Sequence, residues 1–200
     1  MSVVGPRPER PGFVAESLAV VDPAEGLVDI YDKSYLVPWV EFNPWISLPY
    51  SLYNSSPVCA GTNRNTFLCA GARVAPAICY DVCFPEFLRG FDSPTFFAVA
   101  SSESFDATGR LPDQMTQILQ LRAVEFRRSV VRNVKDGHSG VIDSCGRVLS
   151  DIADLKEPTI VGPVPIDQRF SLYARLGDYV LLLPAIILGI ACLGRRRRRR

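Results

Sequence analysis

The chain has 200 residues, close to half of them hydrophobic, and a formal net charge of +1. That length suits one domain with at most an appendage, and the apolar content supplies a sizeable core. The near-zero charge excludes bulk electrostatic attraction to a partner such as nucleic acid, but it conceals an unbroken basic tail, Arg195 to Arg200, without which the chain is mildly acidic.

The opening stretch, MSVVGPRPERPG, is rich in proline, glycine and charge. It reads as an irregular lead-in and lacks the apolar centre of a signal peptide. FVAESLAVVD then predicts a strand, PAEG a turn, and LVDIYDKSYLVPW a second strand running into a loop, so that the two form a hairpin. Residues 43–66 read as a long loop, of the kind that often acts as a lid. Trp39, Trp45, Tyr50 and Tyr53 punctuate this region and either pack over the core or touch lipid, since amphipathic aromatics favour membrane interfaces.

RVAPAICY predicts the next strand, FPEFLRGF a short helix with Pro85 in its first turn, TFFAVASS a buried strand and ESFDATGRL a loop. The longest helical pattern is PDQMTQILQLRAVEFRRSVVRN, where Met115, Ile118, Leu119, Arg122 and Phe126 recur at helical spacing and Pro112 suits the first position. SGVIDSCGRVLSDI predicts a hairpin turning at Ser144 to Arg147. The mixed order points to an α/β or layered α+β domain.

The end differs in kind. Tyr179 to Gly194, YVLLLPAIILGIACLG, carries no charge. Its roughly 16 residues span about 24 Å as a helix, a little short of a hydrocarbon core of ~30 Å, and flanking residues or local thinning can supply the difference. A buried core helix is the alternative. The adjoining arginines favour a membrane helix whose C-terminus faces the cytoplasm.

The cysteines at 59, 69, 79, 83, 145 and 192 form no C-x-x-C pair, and His138 is the sole histidine. A zinc site, a disulfide framework and a Ser-His-Asp triad are therefore poor readings. Cys79 stands apart because it falls at the end of a strand just before a helix, where a nucleophile can be held exposed and backbone N–H groups can stabilise negative charge. Cys83 lies one helical turn further on and reads as a small buried hydrophobe. YDKSYLVPWVEF places Lys33 and Glu41 around a Leu-Val-Pro turn. A lysine near a thiol favours the thiolate, although a surface lysine at a strand end is the commoner outcome.

These segments resemble known motifs. YDKSYLVPWVEF is similar to the lysine motif Y-x-K-x-x-L-V-P-x-x-E of the carbon–nitrogen hydrolase (nitrilase) superfamily, and AICYDVCFPEF to its cysteine motif I-C-Y-E-x-x-F-P-E. QLRAVEFRRSVVRNVKDGHSGVID resembles the helix and strand that follow. SLYARLGDYV with its apolar helix and basic tail resembles the end of one branch, the bacterial apolipoprotein N-acyltransferases. The blocks keep order and spacing from about Phe13 to the end.

The resemblance implies an α/β fold: part of a nitrilase-like α-β-β-α sandwich over residues 1–176, one transmembrane helix over 177–194 and a cytoplasmic polyarginine tail over 195–200. It implies that Cys79 attacks a phospholipid ester, that the acyl-thioester passes its acyl group to the N-terminal diacylglyceryl-cysteine of an apolipoprotein, and that no cofactor or metal takes part. Lys33 matches the lysine that stabilises the oxyanion and Glu41 a supporting glutamate. Tyr80 and Asp81 shape the nucleophile's loop, with Asp81 standing where the family more often has Glu. The location implied is the bacterial cytoplasmic (inner) membrane, with the domain on its outer, periplasmic face.

Some features depart from the pattern. The family's catalytic glutamate comes well before the lysine, on an earlier strand, and neither Glu9 nor Glu16 has that spacing. The multi-helix N-terminal membrane region does not appear in these residues, and SSESFDATG differs from the usual Ser-Asn-Asp turn. The expectation is thus the C-terminal part of an acyltransferase, with little activity unless an N-terminal half supplies the glutamate. A non-catalytic membrane-tethered fragment and a nitrilase-superfamily amidase are the alternatives.

Overall fold

The computed structural model describes residues 2–6, 11–45, 58–104, 106, 108–152 and 161–197. Two sheets organise them. The smaller holds three antiparallel strands in chain order, β1 (Ser2–Pro6), β2 (Val14–Asp22) and β3 (Gly26–Asp32). The larger holds six, β4 (Phe67–Cys69), β5 (Ala72–Ile78), β6 (Phe96–Ser102), β7 (Ser129–Lys135), β8 (Ser139–Ile142) and β9 (Val148–Ile152), again in chain order.

Strands β5, β6 and β7 run parallel, while the outer pairs are antiparallel. Parallel neighbours need crossover connections. The first contains the helix α1 (Pro85–Arg89) and the second the helix α2 (Arg110–Phe126). Met115, Leu119, Ala123 and Phe126 of α2 meet Phe87, Leu88, Phe97, Val99, Val130 and Ile142 in one core. Strands β2 and β3 lie against β5. Every residue from Val74 to Ile78 is buried, as expected for a strand covered on both faces.

The structure revises several sequence expectations. Ser2–Pro6 is a strand and not an irregular lead-in. Among the described residues it pairs with β2 alone, so Pro6 sits on an edge where a missing N–H is tolerated. The helix predicted to run from Pro112 to Asn133 stops at Phe126, because Arg127 adopts a left-handed backbone (φ 50°). The β-branched Val130, Val131 and Val134 then belong to β7, where packing on a pleated surface suits them better. At its other end α2 begins at Arg110, so Pro112 occupies the third helical position. Strand β4 carried no sequence signal strong enough to be singled out.

Tyr50 and Tyr53 of the expected lid lie outside the described residues. Trp39 and Trp45 are exposed and meet edge to face, with ring centroids 4.7 Å apart.

The C-terminal helical run starts earlier than the uncharged stretch, with α3 (Leu172–Leu176), a 3₁₀ turn at Gly177–Leu181 and α4 (Leu182–Arg197). Leu172–Ile190 is long and apolar enough to cross a membrane by length and composition, and only 6% of that window is buried. Tyr173 and Ala174 at its start pack against the core, and most of the rest of the segment is exposed.

Candidate active site

Strand β5 delivers Cys79 to the point where the chain turns into a 3₁₀ helix spanning Cys79–Cys83. Its φ of +48° lies in the left-handed region, which non-glycine residues seldom occupy. Such strain costs roughly 1–3 kcal/mol and persists only where surrounding bonds enforce it. Asp81, fully buried, supplies them. One of its oxygens accepts the Tyr31 hydroxyl (2.6 Å) and the Ile78 N–H (2.9 Å). The other accepts the N–H groups of Ser34 (3.2 Å) and Tyr35 (2.7 Å). One carboxylate thus fastens the turn carrying Cys79 to the loop following β3.

That loop carries Lys33, of which only 1% is exposed. A buried ammonium requires close anionic partners. Its Nζ lies 2.5 Å from Glu41 Oε1 and 3.1 Å from Glu16 Oε2. Glu41 is itself held, because its second oxygen accepts the Val37 N–H at 2.8 Å. Glu16 sits on β2 directly across from Lys33, whose backbone N–H donates to the Glu16 carbonyl at 2.8 Å. Burial alone would lower the lysine's pKa. The negative charge of a Cys79 thiolate, Glu16 and Glu41 outweighs it and holds the ammonium above its ordinary value.

Burial also pushes the Cys79 thiol up, against the opposing pull of Lys33 and of a hydrogen bond with Ser101. Ser101 follows Ala100, the β6 partner of Ile78 in the parallel register, so the sheet itself brings it beside the thiol. The site therefore sets the Cys79 thiol beside the buried Lys33 side chain and two glutamates. That set can bind an oxyanion, form an acyl-thiol and move a proton.

Of the residues singled out from the sequence, Cys79, Lys33 and Glu41 come together and Asp81 ties them in place. Tyr80 is partly buried and packs edge to face on Phe84 at 5.0 Å, while Phe84 stacks on Tyr35 at 4.1 Å. Cys83 is partly buried, and burial pushes its thiol up too. Glu16, whose spacing from Lys33 does not match the family's catalytic glutamate, is in the site nonetheless. The signal that could have found it was the hairpin, since a turn at PAEG brings 16 close to 33, and a register shift between Val20 and Val21 sets them directly opposite. Ser101 could have been found only from the strand register. Among the described residues no cluster of three His, Cys, Asp or Glu side chains suits a metal ion.

The sequence profile of carbon–nitrogen hydrolases matches residues 1–170. The chain belongs to the carbon–nitrogen hydrolase family. Relatives named apolipoprotein N-acyltransferase include one from Verminephrobacter eiseniae, 34% identical over 151 residues, covering 68% of this chain and 27% of the relative. Another, from Bradyrhizobium diazoefficiens, is 29% identical over 185 residues and covers 87% of this chain and 34% of the relative. This carbon–nitrogen hydrolase thus spans about a third or less of the length of these curated relatives. Among solved structures, an amidase from Nesterenkonia sp. superposes with a TM-score of 0.58 at 20% identity, over 76% of this chain and 55% of that one. The mixed α/β architecture is accordingly nitrilase-like.

Proposed function

We propose that this chain is the acyl-transferring part of an apolipoprotein N-acyltransferase. Cys79 takes a fatty acyl group from a phospholipid ester as a thioester, with Lys33 facing the oxyanion. The α-amino group of a diacylglyceryl-cysteine at a lipoprotein N-terminus then receives it. The observation that carries this reading is the convergence on one buried lysine of a strained strand-end cysteine and two glutamates, in a family whose curated relatives bear that name. The apolar helix Leu172–Ile190 supports a site held at a bilayer, where both lipid substrates reside. The arginines beyond it favour a cytoplasmic C-terminus in the inner membrane, with the domain on the periplasmic face.

The test is intact-protein mass spectrometry of the full chain in detergent after incubation with a phospholipid. A hydroxylamine-labile acyl adduct on Cys79, formed slowly as the low activity expected from the sequence requires and discharged by a diacylglyceryl-cysteine peptide, is expected. An adduct on Cys83, or none at all, would overturn the reading and leave a non-catalytic fragment. An amidase is the second reading, favoured by the fold likeness. Ammonia release from short amides without thioester formation from lipid would select it.

A further inference from the structure

The chain has two tryptophans, Trp39 and Trp45, and the candidate active site uses neither. Both stand at the surface, 45% and 85% exposed, with their rings edge to face 4.7 Å apart. Tryptophan is on average a well-buried residue, so a paired and exposed set of indoles marks a surface that meets something other than water.

The backbone beneath them is fixed. The Trp39 N–H donates to the Phe42 carbonyl at 2.7 Å and the Glu41 N–H to the Val37 carbonyl at 2.9 Å. The Val37 N–H donates to Glu41 Oε2 at 2.8 Å, and the Trp45 N–H to Asn43 Oδ1 at 2.9 Å. One short knot thus turns Glu41 inward to Lys33 and leaves the Trp39 indole outside. Trp39 holds φ at +66°, a region that bulky side chains seldom adopt. Its exposure is therefore imposed by a tied backbone and is not the slack of a loose loop.

Charge decides what such a surface can meet. From Ser34 to Asn63 the sequence has one charged residue, Glu41, although 22% of the whole chain is charged. That one is buried against Lys33. The knot presents indole rings to its surroundings and no charge that would have to be stripped of water on entering an apolar layer. An indole, apolar except for one N–H, suits the boundary between headgroups and acyl chains. The helical run Leu172–Ile190, long and apolar enough to cross a membrane, puts lipid within reach of the same chain.

We propose that the Trp39–Trp45 pair is a lipid-contact element, seated in the interfacial layer of a bilayer. The contact requires no reaction at Cys79, so it goes beyond the acyl-transfer reading and stands or falls apart from it. Trp39 is two residues from Glu41, so the bilayer surface lies beside the Lys33 and Cys79 site as well as around the C-terminal helix.

With no other tryptophan in the chain, intrinsic fluorescence reports this pair alone. The full chain is reconstituted into phosphatidylcholine vesicles, plain or brominated on the acyl chains. Lipid brominated near the headgroup end should quench most of the emission, lipid brominated near the methyl ends less, and acrylamide in the water little. Trp39→Phe and Trp45→Phe should each leave one tryptophan that behaves in the same way. The control is Leu27→Trp in a chain carrying both phenylalanines. Leu27 is 59% exposed and lies at the far end of β3 from Lys33, roughly 20 Å away. Its emission should be quenched by acrylamide and not by bromine.

A native pair quenched by acrylamide and blind to bromine would overturn the proposal. So would emission blind to both quenchers that shifts to shorter wavelength as protein density rises, which would assign the pair to a second copy of the chain. Equal bromine quenching at Leu27→Trp would show a domain lying on lipid with no special part for the pair, and a chain that fails to float with the vesicles would show no lipid contact at all. Either result also overturns it. None of these measurements reads acylation, so loss of the acyl-transfer reading leaves the test intact.

Discussion

Replacing Asp81 by asparagine separates the charge of the buried clasp from its geometry. Asparagine keeps one acceptor oxygen and turns the other into a donor. Its better orientation keeps oxygen towards the Ser34 and Tyr35 N–H groups, at 3.2 and 2.7 Å in the parent. The new NH₂ then faces the Tyr31 hydroxyl and the Ile78 N–H. Tyr31 can adapt, accepting from the NH₂ and turning its own hydrogen to Ser34 Oγ, 3.3 Å away. The Ile78 N–H cannot, and a buried orphan donor costs about 1–3 kcal/mol. The bonds to Ser34 and Tyr35 also weaken from charge-assisted to neutral, while relief from burying a charge offsets part of that. A net loss of about 2–3 kcal/mol is expected for Asp81→Asn, and about 3–5 kcal/mol for Asp81→Ala, which abandons every donor. Urea unfolding of the full chain in detergent, followed by tryptophan fluorescence, measures both. An Asp81→Asn protein within about 0.5 kcal/mol of the parent, or as unstable as Asp81→Ala, would refute this account of the clasp.

Two further outcomes follow from geometry elsewhere. A Cβ added at Gly140 would stand 1.9 Å from the Ser150 carbonyl oxygen, so Gly140→Ala should pry β9 from β8. A loss of at least about 1–3 kcal/mol, read as a lowered melting temperature, is expected, and an unchanged melting temperature would contradict the close approach. Asp106 accepts hydrogen bonds from the Thr108 hydroxyl and from the Leu111 and Thr108 N–H groups, which hold its carboxyl at about 2. Because that lies below the unfolded value of about 3.9, its stabilisation of the start of α2 is complete above the unfolded value. It is lost as pH falls towards about 2. The protection factor of the Leu111 amide, its exchange relative to the intrinsic rate, should therefore drop across that window in the parent and show no such step in Asp106→Asn.

Local patterns carried the order of most elements. The hairpin around PAEG, the buried run before Cys79 and the helical spacing from Met115 to Phe126 each follow from residue type and period, and all appear in the structure. Failures came where tertiary pairing overruled local preference. RRSVVRN continues a helical pattern, yet its valines form β7 because β6 offers a parallel partner along the whole of Phe96–Ser102. Ser2–Pro6 is a strand only because β2 is there to pair with it. In the candidate site, Cys79, Lys33 and Glu41 were legible because their motifs are contiguous. Glu16 and Ser101 were not, since each joins the site through a cross-strand register and no short motif contains them. The four-way bonding of Asp81 could not be read from the sequence either, which fixes only its place after the cysteine.

The parallel arrangement of β5, β6 and β7 has a kinetic consequence. The groups around Lys33 come from positions 16, 33, 41, 79 and 101, so none of them is in place until distant strands have found each other. Non-local pairing of this kind is slow, because loop closure must precede the contacts that reward it. Until then the lysine keeps its hydration and the thiol its ordinary reactivity. Assembly of the site is therefore a late event in folding, and the altered chemistry of Cys79 is a clock that marks its completion.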